Sequence, residues 1–137
     1  MLILLSTEDS LLVRTTFGNE DAWMDALSTV LSENDDGFRA YVKVVDDIAW
    51  DQVGWEQVRQ AAMAGNEHAS VLFIVDSVAL EPGHPIQVID LSTESRRPFR
   101  CIARELWGVD NNLNIANMDW QEFADRTDRD GVFRGFA

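Results

Sequence analysis

Val71-Leu72-Phe73-Ile74-Val75 is an unbroken apolar run of strand length that stops at Asp76, and its reading decides the fold. Five apolar residues in a row, with no polar alternation, suit a strand covered on both faces, as in a parallel sheet between helices. Two strand-helix units lead into it. Leu11–Phe17 is rich in apolar and β-branched residues and is broken by Gly18-Asn19. Asn19 supplies an N-cap, Glu20 and Asp21 fill the first turn, and Trp23, Leu27, Val30 and Leu31 recur at helical spacing, which predicts a helix from Glu20 to Ser32. The turn at Asn34–Gly37 precedes a weakly alternating strand, Tyr41–Val45, that ends in Asp46-Asp47. A second helix is expected over Asp51–Ala64, stopped by Gly65-Asn66, with Trp50 and Trp55 docking its start on the sheet.

Downstream of Val75, Gly83 and Pro85 punctuate the chain before Ile86–Leu91, and the turn at Glu94–Arg97 leads into Phe99–Ala103, so these two strands read as an antiparallel hairpin. Asp110–Asn117 is rich in asparagine and is expected to be an irregular connector of Asx-turns. Asp119 and Glu122 have capping-box spacing before Trp120, Phe123 and Ala124, which predicts a short last helix, and the tail Val132–Phe136 is expected to lie back on the core. The expected fold is α/β: one three-layer or two-layer domain over residues 1–137, with a β-α-β-α-β parallel core and right-handed crossovers, extended by an antiparallel hairpin and a short C-terminal helix.

With 46% hydrophobic residues, five tryptophans and seven phenylalanines among 137 residues, the chain can bury a substantial core. Its formal charge of −13 repels nucleic-acid backbones and anionic membranes and excludes both as expected partners. The charge is uneven: residues 1–90 hold 4 Arg/Lys against 16 Asp/Glu, whereas residues 91–137 hold 7 against 8. No apolar run approaches the length of a membrane span, the first residues lack the layout of a secretory signal, and Cys101 is alone, so a cytoplasmic location is expected.

No glycine-rich phosphate loop, no nucleophile elbow and no zinc-protease motif occurs, and Asp125–Gly131 fails as a calcium loop because Arg126 falls at the first ligand position. No metal or cofactor is expected. Two clusters remain as candidate ligand sites. Asp46, Asp47 and Asp76 fall at the carboxyl ends of the parallel strands, where open α/β sheets bind ligands, although aspartates there also serve turns and caps. Arg96, Arg97, Arg100 and Arg104 lie within nine residues and offer guanidinium groups either to an anion or to the protein's own carboxylates. His84, between Gly83 and Pro85, reads as a solvated turn residue.

The phrases Leu12-Val-Arg-Thr-Thr-Phe17, Gly37-Phe-Arg-Ala40, Asn114-Ile-Ala-Asn-Met-Asp119 and Asp130-Gly-Val-Phe-Arg-Gly-Phe136 resemble a family of small actinobacterial proteins known only as a domain of unknown function. The resemblance covers nearly the whole chain and implies no activity, ligand or catalytic residue. A tenfold excess of arginine over lysine suits a GC-rich source.

Two functions follow as expectations. The first is an acidic, non-catalytic module that recognises a basic protein partner, immunity-like or regulatory, through Asp21, Asp25, Glu33, Asp35 and Asp36 on and beside the first helix. The alternative is a small tailoring enzyme or small-ligand-binding protein that uses the strand-end aspartates with the hairpin arginines.

Overall fold

A computed structural model describes residues 4, 9–65, 69–93 and 96–136. The elements follow in the order β1 (Ser10–Arg14), α1 (Glu20–Leu31), β2 (Val42–Val45), α2 (Trp55–Met63), β3 (Val71–Val75), β4 (Pro85–Asp90), β5 (Phe99–Ile102), α3 (Leu106–Asn114), α4 (Trp120–Ala124) and β6 (Val132–Phe133). The strands form one six-stranded sheet in the order β2-β1-β3-β4-β5-β6. β1 runs parallel to both β2 and β3, β4 is antiparallel to β3 and β5, and β6 returns parallel to β5. The fold is thus mixed α/β, with the parallel core and antiparallel hairpin that the residue pattern implies.

The β3 run lacks alternation because both its faces are covered. Val71, Phe73 and Val75 pack with Trp23 and Val30 of α1, Leu106 and Val109 of α3, and Phe123 of α4. Leu72 and Ile74 pack on the other side with Val58 and Ala62 of α2 and with Trp50. Helices therefore flank the sheet on both faces, giving three layers. Each fully enclosed aromatic contributes about 2–3 kcal/mol through removal of apolar surface from water, and Trp23, Trp50, Phe73, Phe123 and Phe133 are all in that state.

Three details differ from the residue pattern. The asparagine-rich stretch is not irregular: α3 runs through it to Asn114. The second helix starts at Trp55 rather than Asp51, after a 3-10 turn at Ile48–Trp50 that Asp47 caps by accepting from the Ala49 amide at 2.9 Å. Asp119 precedes α4 without a side-chain capping bond. The tail does return to the core, as the edge strand β6, and Phe133 and Phe136 join Phe123 in an aromatic cluster. Asn66, Glu94 and Ser95, used above for a helix stop and a turn, lie outside the described residues.

Candidate functional site

The carboxyl ends of the parallel strands carry charge on both sides of the sheet, already paired. Arg14, the last residue of β1, is 2% exposed. Its Nη2 donates to Glu20 at 2.6 Å, its Nη1 to Asp46 at 3.2 Å, and its Nε to the Thr16 carbonyl at 3.1 Å. The guanidinium also stacks over Phe17 and Trp23. Burial pulls the Arg14 proton affinity down, but the hydrogen bonds and charges of Glu20 and Asp46 outweigh it and hold the group above its ordinary value.

Asp76 is bound differently. Arg100 of β5 grips it in two-pronged fashion, Nη1 to Oδ1 at 2.9 Å and Nη2 to Oδ2 at 2.7 Å, while Asp76 also accepts from the Ala79 amide. Strand parity separates the two pairs: Arg14 follows Leu12 onto the α1 face, whereas Asp76 follows Leu72 and Ile74 onto the α2 face. Asp46 and Asp76 are therefore engaged on opposite faces, and Asp47 is the exposed cap of the 3-10 turn. Among the described residues, no three His, Cys, Asp or Glu side chains are grouped to hold a metal ion.

The hairpin arginines disperse. Arg100 serves Asp76, Arg97 and Arg104 are exposed, and Arg96 turns to Asp90, its Nη1 donating to Oδ2 at 3.2 Å. Asp90 ends β4, pairs in register with Val71 at the start of β3 and is 3% exposed. This further carboxylate-arginine pair therefore sits at the amino end of the parallel strands, about 17 Å along β3 from Asp76. The other Asp90 oxygen accepts from the Ser92 amide at 2.9 Å and the Ser92 hydroxyl at 2.7 Å. Beside this pair a cleft of about 230 Å³ opens between the sheet end and the α3–α4 connection. Ser70, Ser92, Arg96 and Asp119 give it polar walls, and Leu113, Met118 and Trp120 an apolar one. Asp90 lies between Ile89 and Leu91 inside an apolar stretch, so the one signal for it in the sequence is a carboxylate embedded among strand residues.

On the α1 side, Asp21, Glu33, Asp35 and Asp36 are exposed. Asp25 differs, because its carboxylate meets His84 Nε2 at 2.7 Å. His84 is not a solvated turn residue: it is 8% exposed, and its Nδ1 lies 3.0 Å from the Ala79 carbonyl, an obligate acceptor that fixes a proton on Nδ1. His84 adopts a φ of +50° between Gly83 and Pro85, and its ring ties α1 to the start of β4.

A buried polar network lies below the parallel strands. Asp110 accepts from the Ser10 hydroxyl at 2.7 Å, the Asn114 amide at 2.8 Å and the Tyr41 backbone N–H at 2.9 Å. Asn114 in turn accepts from the Ser70 N–H at 3.0 Å. One turn of α3 thus holds the starts of β1, β2 and β3. Burial pushes the Asp110 carboxyl up, against the pull of these hydrogen bonds. The asparagines serve the backbone, and nothing in their type alone marks Asp110 as the centre.

A model of a family described as a domain of unknown function, DUF6924, matches residues 9–136. The chain belongs to that family. The DUF6924 match runs from the residue before β1 to Phe136, so the paired charges, the cleft and the Asp110 network all fall inside the family domain. No curated protein matches the chain. Among the described residues, no helix is long and apolar enough to cross a membrane.

Proposed function

We propose that this chain is a cytoplasmic, non-catalytic binding module whose acidic surface recognises a basic protein partner, in an immunity-like or regulatory role. One contrast carries the reading. The carboxylates best placed for chemistry, Asp46 and Asp76, are neutralised by Arg14 and Arg100 on opposite faces of the sheet. Asp21, Glu33, Asp35 and Asp36 are exposed, and none has a cation within ion-pair distance among the described residues. Unpaired surface carboxylates steer encounter with a cationic partner and penalise an anionic one. Exposed Phe38, stacked on Trp107 at 5.0 Å, and exposed Tyr41 beside Arg39 place aromatic contact area close to Asp35 and Asp36 in the chain, the residue mixture of interface anchors. The cytoplasmic placement rests on the lone buried Cys101, and an actinobacterial source on the sequence resemblance and the arginine-rich composition.

The test is capture of partners from lysate of the source organism on the immobilised wild-type domain and on a variant with Asp21, Glu33, Asp35 and Asp36 changed to Lys, followed by reconstitution with the purified partner. A basic protein that forms a defined complex with the wild type, and binds the variant about tenfold more weakly or worse, is the expected result. A partner that is acidic, equal binding by both forms, or no reconstituted complex at about 0.15 M salt overturns it.

A further inference from the structure

The cleft beside Asp90 is built differently from the acidic surface and carries its own inference. Arg96 is fastened by one nitrogen only: Nη1 rests on Asp90, and among the described residues Nε and Nη2 have no acceptor. Asp90 is fully committed, with Arg96 on one oxygen and Ser92 on the other, so it positions the guanidinium rather than binding a cation itself. Asp119, also on the wall, neither caps α4 nor pairs with a cation among the described residues. The cleft thus offers one unspent cation and one unspent anion beside an apolar wall of Leu113, Met118 and Trp120, in a space smaller than the roughly 300–1,000 Å³ of drug-sized sites.

We propose that this cleft binds a free amino acid with an apolar side chain, its carboxylate on Arg96, its ammonium on Asp119, and its side chain against Leu113, Met118 and Trp120. A polyanion would meet Asp119 and the buried Asp90, and a purely apolar ligand would strip water from Arg96 and Asp119 without replacing their hydrogen bonds. A zwitterion satisfies both charges at once. The inference stands apart from the basic-partner reading, which uses other residues.

The experiment is titration of the isotope-labelled full chain with L-leucine, L-methionine and L-phenylalanine, following the assigned indole N–H of Trp120 by two-dimensional NMR. At least one of the three should give a saturable shift below about 10 mM, a few kcal/mol of binding. Its N-acetyl and methyl-ester derivatives, each lacking one charge, should bind about tenfold more weakly or worse, the loss of one charge-assisted contact. Asp119→Asn should weaken the free amino acid to a similar degree yet bind the N-acetyl derivative as well as the wild type or better, because that anion has no ammonium for the carboxylate and is repelled by it. Arg96→Lys, which keeps the charge beside Asp90, should retain the fold by thermal melting and lose affinity for the free amino acid. No saturable shift with any of the three, equal binding of the blocked derivatives, or an Asp119→Asn variant that binds as the wild type does would overturn the assignment.

Discussion

The carboxylate of Asp110 accepts a 2.7 Å hydrogen bond from Ser10, a residue 100 positions earlier in the chain, inside a site that excludes water from both. With Tyr41 and Asn114 on the same carboxylate, this contact sets where the first two parallel strands begin relative to α3. Asp110→Ala leaves the Ser10 hydroxyl and the Tyr41 N–H without their acceptor, while the Asn114 amide keeps the Asp110 carbonyl and Ser10 Oγ. The expected loss is about 2–4 kcal/mol, since buried donors keep their desolvation cost when the partner goes. Urea unfolding followed by tryptophan fluorescence measures it, and a loss below about 1 kcal/mol would show the network to be dispensable.

The same residue gives stability a pH dependence of defined sign. Burial raises the Asp110 carboxyl above its ordinary value, with the charge of Asp9 adding to it. The folded state therefore binds the proton more tightly than the unfolded chain does. The stabilisation is complete below the unfolded value of about 4 and is lost as pH rises through the raised folded value. Asp110→Asn does not titrate there. Wild type minus Asp110→Asn should be most favourable to the wild type near pH 4 and should decline toward pH 7, read from paired denaturation curves; a flat difference would contradict the shift.

Arg14 tests whether charge or packing holds the end of β1. Its partners Glu20 and Asp46 are well exposed, with side chains 69% and 46% accessible, so the ion pairs alone contribute little. Burial of the whole side chain, with its guanidinium over Phe17 and Trp23, contributes more. Arg14→Met should therefore be more stable than Arg14→Ala by about 1–2 kcal/mol, and equal losses would assign the effect to the charges instead.

Cys101 should be chemically quiet. Burial, and then the charge of Glu105, push its thiol well above the ordinary value, so little thiolate forms and little of it is reachable. A thiol-reactive chromophore should label the native protein only as fast as the sheet opens, and label the denatured chain at once. Fast stoichiometric labelling under native conditions would contradict this.

The central strand was legible because its five residues report their surroundings directly: a run apolar on both parities has no solvent face. α3 was not, because two local rules compete in it. Asn111, Asn112 and Asn114 favour Asx-turns, yet Leu106, Val109 and Leu113 stand at helical spacing, and burial of Leu106 and Val109 decides the contest. The asparagines then spend their amides inside the helix, Asn112 on Gly108 and Asn114 on Asp110, four residues back. β6 is two residues long and is made by pairing with β5, which no periodicity reveals. The site residues were visible by type, but their partners depended on strand order and parity. Arg100 meets Asp76 because Gln87 and Ile74 lie beside it across the sheet, and Arg96 is carried to the other end because β4 runs backwards.

β3 is parallel to one neighbour, β1, and antiparallel to the other, β4, and lies in the interior of the sheet. Fluctuations that detach β2 or the short β6 from the rims need not disturb it, because its amide bonds are shared with β1 and β4 and both its faces stay covered. Exchange of backbone protons with heavy water should consequently proceed inward from the two rims and reach Leu72–Ile74 only when the whole molecule opens, so that the slowest amides of this strand record the global unfolding free energy.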